Sequence, residues 1–171
     1  PPVIAPLPGE KGRYAVITQH NGGLNYTIVD TQLRGGLGDV IASEKNIPLN
    51  AFAGRDGIAT DSKLSLVPGC SSTWLVSRSR HVNEFRAYEV TKDGISSGPV
   101  ISEAGLLPLS FYPGRSYSGL MKASPDGTKL ALACGLAVTN IYPADGAVEI
   151  YDFDKCSGRI SNTIVLDSGT H

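Results

Sequence analysis

Residues 119–154, GLMKASPDGTKLALACGLAVTNIYPADGAVEIYDFD, decide how the chain folds. Three short apolar runs lie here, and the second and third alternate apolar and polar side chains as β-strands do. The tetrapeptide SPDG at 124–127 separates the first two runs. Its proline presets φ for a turn, and Asp-Gly supplies a polar cap followed by a residue free to take positive φ. The stretch therefore predicts an antiparallel meander.

A strand–turn–strand pattern of this kind is written three times, with a period of about 60 residues. Pro-Gly at 8–9 and at 68–69 each precedes an aromatic residue that opens a strand, Tyr14 or Trp74. Three four-stranded units of this period predict radially repeated blades. Three tyrosines recur at nearly the same interval in the third strands of these units: Tyr26, Tyr88 and Tyr151.

We therefore predict an all-β chain that forms part of a β-propeller, with a β-sandwich of similar strands as the alternative. A blade cannot bury both faces alone, and propellers usually close with about four to eight blades. Three blades leave two apolar faces open, so we expect further blades and downstream modules from a longer parent chain. The predicted blades lie at residues 1–41, 62–101 and 117–166, with connecting loops at 42–61 and 102–116.

Composition narrows the possible classes of protein. The chain has 171 residues, 41% of them hydrophobic, which fits one globular domain and argues against disorder. A formal net charge of −1 gives no electrostatic footprint for nucleic acid. No apolar run approaches the length of about 20 residues that a membrane helix needs, so we expect no membrane insertion. The opening Pro-Pro suggests a mature form or an excised piece of a larger protein.

The three cysteines fit neither a disulfide framework nor a CxxC metal site. Cys134 ends an apolar strand and is interpreted as a small core residue. Cys70 and Cys156 fall in predicted turns, where they could pair across blades or remain free. The cysteine count alone leaves the redox compartment open.

Four antiparallel strands per blade give the assembly two different edges. The second-to-third loops and the crossovers lie at one edge, here called the loop edge, and the remaining turns lie at the opposite, turn edge. The long predicted connections, such as 20–24, 80–83 and 135–146, all belong to the loop edge, where function tends to sit. Arginine, amide and tyrosine side chains there suit carboxylates, sugars and peptide backbone, although a solvated polar face is the alternative. The candidate ligand-binding residues are His20, Asn21, Arg55, Arg80, His81, Asn83, Tyr112, Arg115 and Tyr117.

Motifs for catalysis or cofactors are weak. The glycine-rich run at 35–39 lacks the GxGxxG order and is interpreted as a tight turn into an outer strand. The run at 114–119 lacks the second glycine of a nucleophile elbow. The three histidines share no metal-ligand spacing. We therefore assign no catalytic residue, metal or cofactor.

Several stretches resemble a known family: residues 24–30 with 35–40 and 46–49, residues 83–88, residues 119–131, and residues 149–154 with 158–162. Together they look like the N-terminal WD-repeat-like or TolB-like propeller of large secreted proteins from gliding and related bacteria that use the type IX secretion system. In that family the SPDG turn is structural. The matching motifs belong to the scaffold, so the resemblance carries over no catalytic residue.

The resemblance implies a non-enzymatic binding or adhesion module of a secreted or cell-surface bacterial protein, with a protein or glycan as its ligand. One alternative is a propeller docking domain of a periplasmic component of the secretion machinery. A second alternative is an enzyme with its active site in the propeller funnel, such as a lactonase or a glycan-cleaving propeller.

Overall fold

The computed structural model describes residues 2–20, 23–49, 60–79, 82–106, 117–136 and 145–170. These residues form three antiparallel β-sheets that follow one another along the chain, and none of the three closes on itself. The prediction of an all-β chain is thereby confirmed.

The first sheet has the strand order β1-β2-β3-β4, and β5 also pairs with β3. The sequence predicts one fourth strand at 38–41 and a loop from 42 onward. The structure instead divides the outer position between two very short strands, β4 and β5, because a 3₁₀ turn interrupts the chain between them. The elements are β1 (Val3–Pro6), β2 (Arg13–His20), β3 (Gly23–Asp30), the helical turn α1 (Leu33–Gly36), β4 (Asp39–Val40), the 3₁₀ turn (Ala42–Glu44) and β5 (Ile47–Leu49).

The second sheet has the order β10-β8-β7-β6, and β9 also pairs with β8. Its predicted single fourth strand at 95–101 is likewise divided in two. The elements are β6 (Thr60–Pro68), β7 (Thr73–Ser79), β8 (Glu84–Thr91), β9 (Gly94–Ile95) and β10 (Val100–Glu103).

The third sheet is a regular four-stranded meander in the order β11-β12-β13-β14. It contains the stretch that decides the fold, and its outer strand is continuous, although two register shifts interrupt its pairing with β13. The elements are β11 (Tyr117–Ala123), β12 (Lys129–Leu136), β13 (Asp145–Asp154) and β14 (Arg159–Thr170).

The three sheets stack face to face, with the second sheet in the middle. One apolar cluster, here called the first interface, joins residues of the first sheet, such as Ala15 and Ile28, to Leu75 and Tyr88 of the second. Another, the second interface, joins the opposite face of the second sheet to the third. The second sheet is therefore covered on both faces, and all residues from Trp74 to Ser79 in β7 are buried. The second interface contains Val67, Trp74, Val76, Phe85, Ala87, Met121, Leu130, Leu132, Tyr151, Phe153 and Ile160.

The tyrosines of the repeat do not occupy equivalent positions. Tyr26 points onward into the first interface, whereas Tyr88 and Tyr151 point back toward the sheet that precedes their own. The interval between Tyr26 and Tyr88 therefore matches strands but not faces, because an offset of one residue reverses the direction of a side chain in a strand.

The first strands of the three sheets lie side by side. β6 contacts β1 on one side and β11 on the other, and the outer strands β10 and β14 also contact each other. An open groove of about 400 Å³ runs along these first strands. Its lining is mostly apolar and includes Leu64, Leu66, Met121 and Pro125, with Lys122 beside them.

The SPDG turn forms as the sequence predicts. The amide of Gly127 donates to the carbonyl oxygen of Ser124 over 3.0 Å, and Gly127 has φ +71°. The glycine-rich run likewise turns the chain into β4, with positive φ at Gly35, Gly36 and Gly38. No helix among the described residues is long and apolar enough to cross a membrane.

Candidate functional site

The loop edge lies where the second strand of each sheet ends. His20 closes β2, Asn83 directly precedes β8, and Tyr117 opens β11, so the backbone of all three residues lies at this edge. The hairpin after His20 is shorter than predicted, because His20 pairs with Gly23 and leaves only two residues between the strands. The other candidates lie outside the described residues: Asn21, Arg55, Arg80, His81, Tyr112 and Arg115.

A buried ion pair lies near the loop edge of the second interface. Nη1 of Arg78, on β7, is 3.4 Å from Oε2 of Glu149, on β13. Their side chains are 4% and 1% exposed. The Arg78 guanidinium also lies over the ring of Phe85, 5.2 Å from its centroid. The pair thus joins the second and third sheets through charge in a region that excludes water.

The same two side chains hold the main chain of Leu106 from both sides. Arg78 donates from Nη2 to the carbonyl oxygen of Leu106 over 2.5 Å. The amide of Leu106 donates to Oε1 of Glu149 over 2.8 Å. Because each charged group binds one polar group of the same residue, the pair replaces the neighbouring strand that this piece of backbone lacks.

The segment 104–106 is hydrogen-bonded at every residue. Its other two amides donate to the carbonyl oxygen of Asn83 over 2.9 Å and to Oγ1 of Thr163 over 3.0 Å. Gly105 has φ +85°, and a Cβ there would collide with the hydroxyl of Tyr151. The segment therefore seals the loop-edge end of the second interface, and its central position accepts only glycine without displacement of its neighbours.

Neither Arg78 nor Glu149 is among the candidate residues named from the sequence. A signal was present for Glu149, because strand alternation puts it on the same side as Tyr151 and Phe153. A lone carboxylate on an aromatic strand face indicates a buried charge that needs a partner.

Two of the tyrosines in the interfaces between the sheets, Tyr88 and Tyr151, are fully buried. Burial raises the pKa of Tyr88 and of Tyr151, so both remain neutral at physiological pH. The ring of Tyr151 packs edge-on against Phe85, with the centroids 4.9 Å apart. These groups belong to the packing of the sheets, since neither phenol is disposed to ionise.

The turn edge of the second interface is closed by a disulfide. Cys70 and Cys156 form this bond between turns of the second and third sheets, with their Cα atoms 5.0 Å apart. Nε1 of Trp74 donates to the carbonyl oxygen of Lys155 over 2.9 Å, and the amide of Cys70 donates to the same oxygen over 3.1 Å. Cys134 takes no part in this disulfide and is half-buried against the second interface, as expected for a small core residue.

Asp126 holds the SPDG turn through its carboxylate. Oδ1 accepts a hydrogen bond from the hydroxyl of Ser124 over 2.5 Å, and the amide and hydroxyl of Thr128 also donate to the carboxylate. These bonds lower the pKa of Asp126 from 3.8 to about 2, since they favour the charged form. The carboxylate is committed to the turn, which agrees with the structural interpretation of this motif.

Metal-binding chemistry has no support in the described parts of the chain. They contain no group of three or more His, Cys, Asp or Glu side chains that could hold a metal ion. Of the three histidines, His81 and His171 lie outside the described residues, and the side chain of His20 is also not described.

Comparisons with known proteins found no match: no family model, no curated protein and no solved structure is significantly similar to this chain.

Proposed function

We propose that the chain is a β-propeller module of a secreted or cell-surface protein, and that it binds a protein or glycan ligand at its loop edge without catalysing a reaction. The observation that carries the proposal is the stack of three consecutive sheets, in which the middle sheet is buried on both faces. A sandwich of two sheets has no such middle layer. Blades of a propeller do, because each packs between two neighbours.

The arrangement of strands adds support for radial packing. The first strands β1, β6 and β11 lie next to one another, as innermost strands around an axis would. A ring of this kind requires a further sheet against each open face of the stack. It also presents all second-to-third loops at one edge, where they can contact a single ligand.

The disulfide supports a location outside the cytoplasm. Bonds such as Cys70–Cys156 persist in oxidising compartments and are rare where thiols are kept reduced. This agrees with export by a type IX route, as the resemblance in sequence implies, and with an extracellular or cell-surface position.

The loop edge is rigid where the described residues reach it. The Arg78–Glu149 pair and the segment 104–106 fix the backbone there through four hydrogen bonds to two sheets. Binding sites gain from such support, because less conformational entropy is lost when the ligand arrives. The proposal therefore places ligand contacts on loops that a rigid scaffold presents.

The test is a glycan array of neutral and acidic oligosaccharides, probed with the labelled chain and followed by titration of any ligand found. Replacement of Arg80 by alanine should weaken binding roughly tenfold, which corresponds to the loss of about one charge-assisted hydrogen bond. A matched control is Lys92→Ala, which removes an exposed cation at the turn edge and should leave affinity unchanged. Equal loss in both variants would contradict a site at the loop edge. Hydrolysis of a lactone or a glycan by the purified chain would overturn the non-enzymatic assignment.

A further inference from the structure

The face of the third sheet that points away from the second is mostly apolar, with Lys122 also on it, and the described residues leave it uncovered. Leu120, Ala133 and Val148 lie opposite one another on this face, in three adjacent strands. Leu120 is 60% exposed and Ile164, nearby on β14, is 54% exposed. Lys129 and Asp152 form an ion pair with each other at the turn-edge end of the face. Such a surface is typical of an interaction site.

The first sheet has an uncovered face at the other end of the stack. Ile4 lies opposite Val16 on this face, and Tyr14 lies opposite Val29. Ile4 is 58% exposed, and the other three side chains are half-buried. The two open faces are therefore both apolar, and they point in opposite directions along the stack.

The two open faces share one feature with the first interface: alanine in the second strand of one sheet, and large side chains on the sheet that would face it. There the first sheet contributes small residues from its first two strands, Ala5 and Ala15, and the second sheet contributes Leu75 and Tyr88. The open face of the third sheet again has small residues in its second strand, Ala131 and Ala133. The open face of the first sheet supplies large ones. Small side chains opposite large ones allow two faces to interdigitate at close range.

We propose that the first sheet of a second copy of this chain packs on the open face of the third sheet, so that two copies close head to tail into a ring of six sheets. The proposal rests on the propeller arrangement proposed above. It names a second copy, in place of further blades of a parent chain, as the partner that completes the ring. The new joint continues the existing stack, since a first sheet would follow a third as the second follows the first. Six sheets fall within the range of about four to eight blades that propellers use. A joint between two different faces closes only when its rotation completes a circle, so the proposal requires the two identical joints to do so.

The test measures the mass of the 171-residue chain in solution by light scattering, between about 1 µM and about 1 mM. The wild type should have the mass of two chains. Ile4→Glu alters only the face of the first sheet, and Ala133→Glu alters only the face of the third. Each should give a single chain, because a carboxylate would have to lose its water in both joints of the ring. Both positions are exposed in the single chain, so the sheets themselves should remain folded, which circular dichroism checks.

Mixing the two variants separates this arrangement from a dimer in which two like faces meet. An equimolar mixture keeps one unaltered face of each kind, so the mass of two chains should return at the higher concentrations. Leu37→Glu is the control, because Leu37 is 88% exposed in the turn before β4 and touches neither open face. A monomeric wild type, a growing series of masses or a dimer that survives Ile4→Glu overturns the proposal. None of these results depends on ligand binding at the loop edge, so the proposed function is tested separately.

Discussion

The two interfaces on either side of the second sheet are built differently. The first is centred on apolar side chains such as Ala15, Leu75 and Tyr88, and the first sheet contains no cysteine. The second has an apolar centre as well, but it is also fastened at both edges. The disulfide closes its turn edge, and the Arg78–Glu149 pair closes its loop edge.

The difference shows that one fold can join its sheets in two ways. Apolar packing is spread over many contacts, so its loss is gradual as side chains are trimmed. A buried ion pair or a disulfide concentrates the effect in two residues. We expect the second interface to respond sharply to single substitutions and the first to respond in small steps.

The largest effect is expected from Glu149→Ala. It leaves the Arg78 guanidinium buried without its partner, and the free energy of unfolding should fall by about 3–5 kcal/mol. Urea unfolding followed by circular dichroism measures the loss. Glu103→Ala is the control, since Glu103 is an exposed glutamate at the end of β10. The double variant Arg78→Met with Glu149→Leu should regain only part of the stability. Apolar groups can replace a buried pair, but the amide and carbonyl oxygen of Leu106 would lose their partners. A loss below about 1 kcal/mol in Glu149→Ala would show that the pair is not desolvated as described.

The next largest effect should come from replacing both Cys70 and Cys156 by serine. The bond links positions that are 86 residues apart. Its removal frees the unfolded chain and should cost about 2–4 kcal/mol. Reducing agent should lower the stability of the wild type to that of the double serine variant. It should lower the stability of Cys134→Ala by the same amount as that of the wild type. Alkylation of the unreduced, unfolded wild type should label only Cys134; labelling of all three cysteines would contradict the disulfide.

A smaller effect is expected in the first interface from Ile28→Val. Ile28 is fully buried, and the loss of one methyl group should cost about 0.5–1.5 kcal/mol. Ile4→Val is the control, because it trims an exposed side chain and should change little. Val3→Ala would not serve, because Val3 packs against the first interface. When Ile28→Val is combined with the two serine substitutions, the changes should add, since the sites share no contact. Strong non-additivity would mean that the two interfaces do not respond independently.

The smallest effect concerns pH and the SPDG turn. The folded pKa of Asp126, about 2, lies below its ordinary value of 3.8, so its contribution to stability is present above that ordinary value and is lost as pH falls through about 2. Hydrogen bonds lower the pKa of Asp152 and Asp154 in the same direction. The melting temperature should therefore fall between about pH 4 and about pH 2. The melting temperature of Asp126→Asn should fall less steeply over that interval than that of the wild type. An unchanged slope would contradict the role of this carboxylate.

Local patterns predicted the regular parts of the fold. Alternation in β12 and β13 and the SPDG turn between β11 and β12 were sufficient to predict the third sheet. The outer strands were harder, because β4, β5 and β9 have two or three residues each and too few positions to show a period. β7 shows the opposite problem, since a strand covered on both faces need not alternate.

Contacts between distant residues explain the remaining misses. Nothing near Arg78 in the sequence indicates that its partner is 71 residues away, and the pairing of Cys70 with Cys156 depends on two turns meeting across sheets. The tyrosine interval predicted the strands but not the faces, because a period counted in residues does not fix the direction in which a side chain points. Most candidate ligand-binding residues lie outside the described ranges, so they stay predictions.

The position of Trp74 has a practical consequence. It is the chain's one tryptophan, and its indole lies beside the disulfide, with Gly158 packed against its ring. Its fluorescence should therefore report the separation of the second and third sheets and remain almost blind to the first. If fluorescence and circular dichroism change at different urea concentrations, the chain unfolds in steps. The protein thus contains an optical probe of its most strongly fastened joint, with no label added.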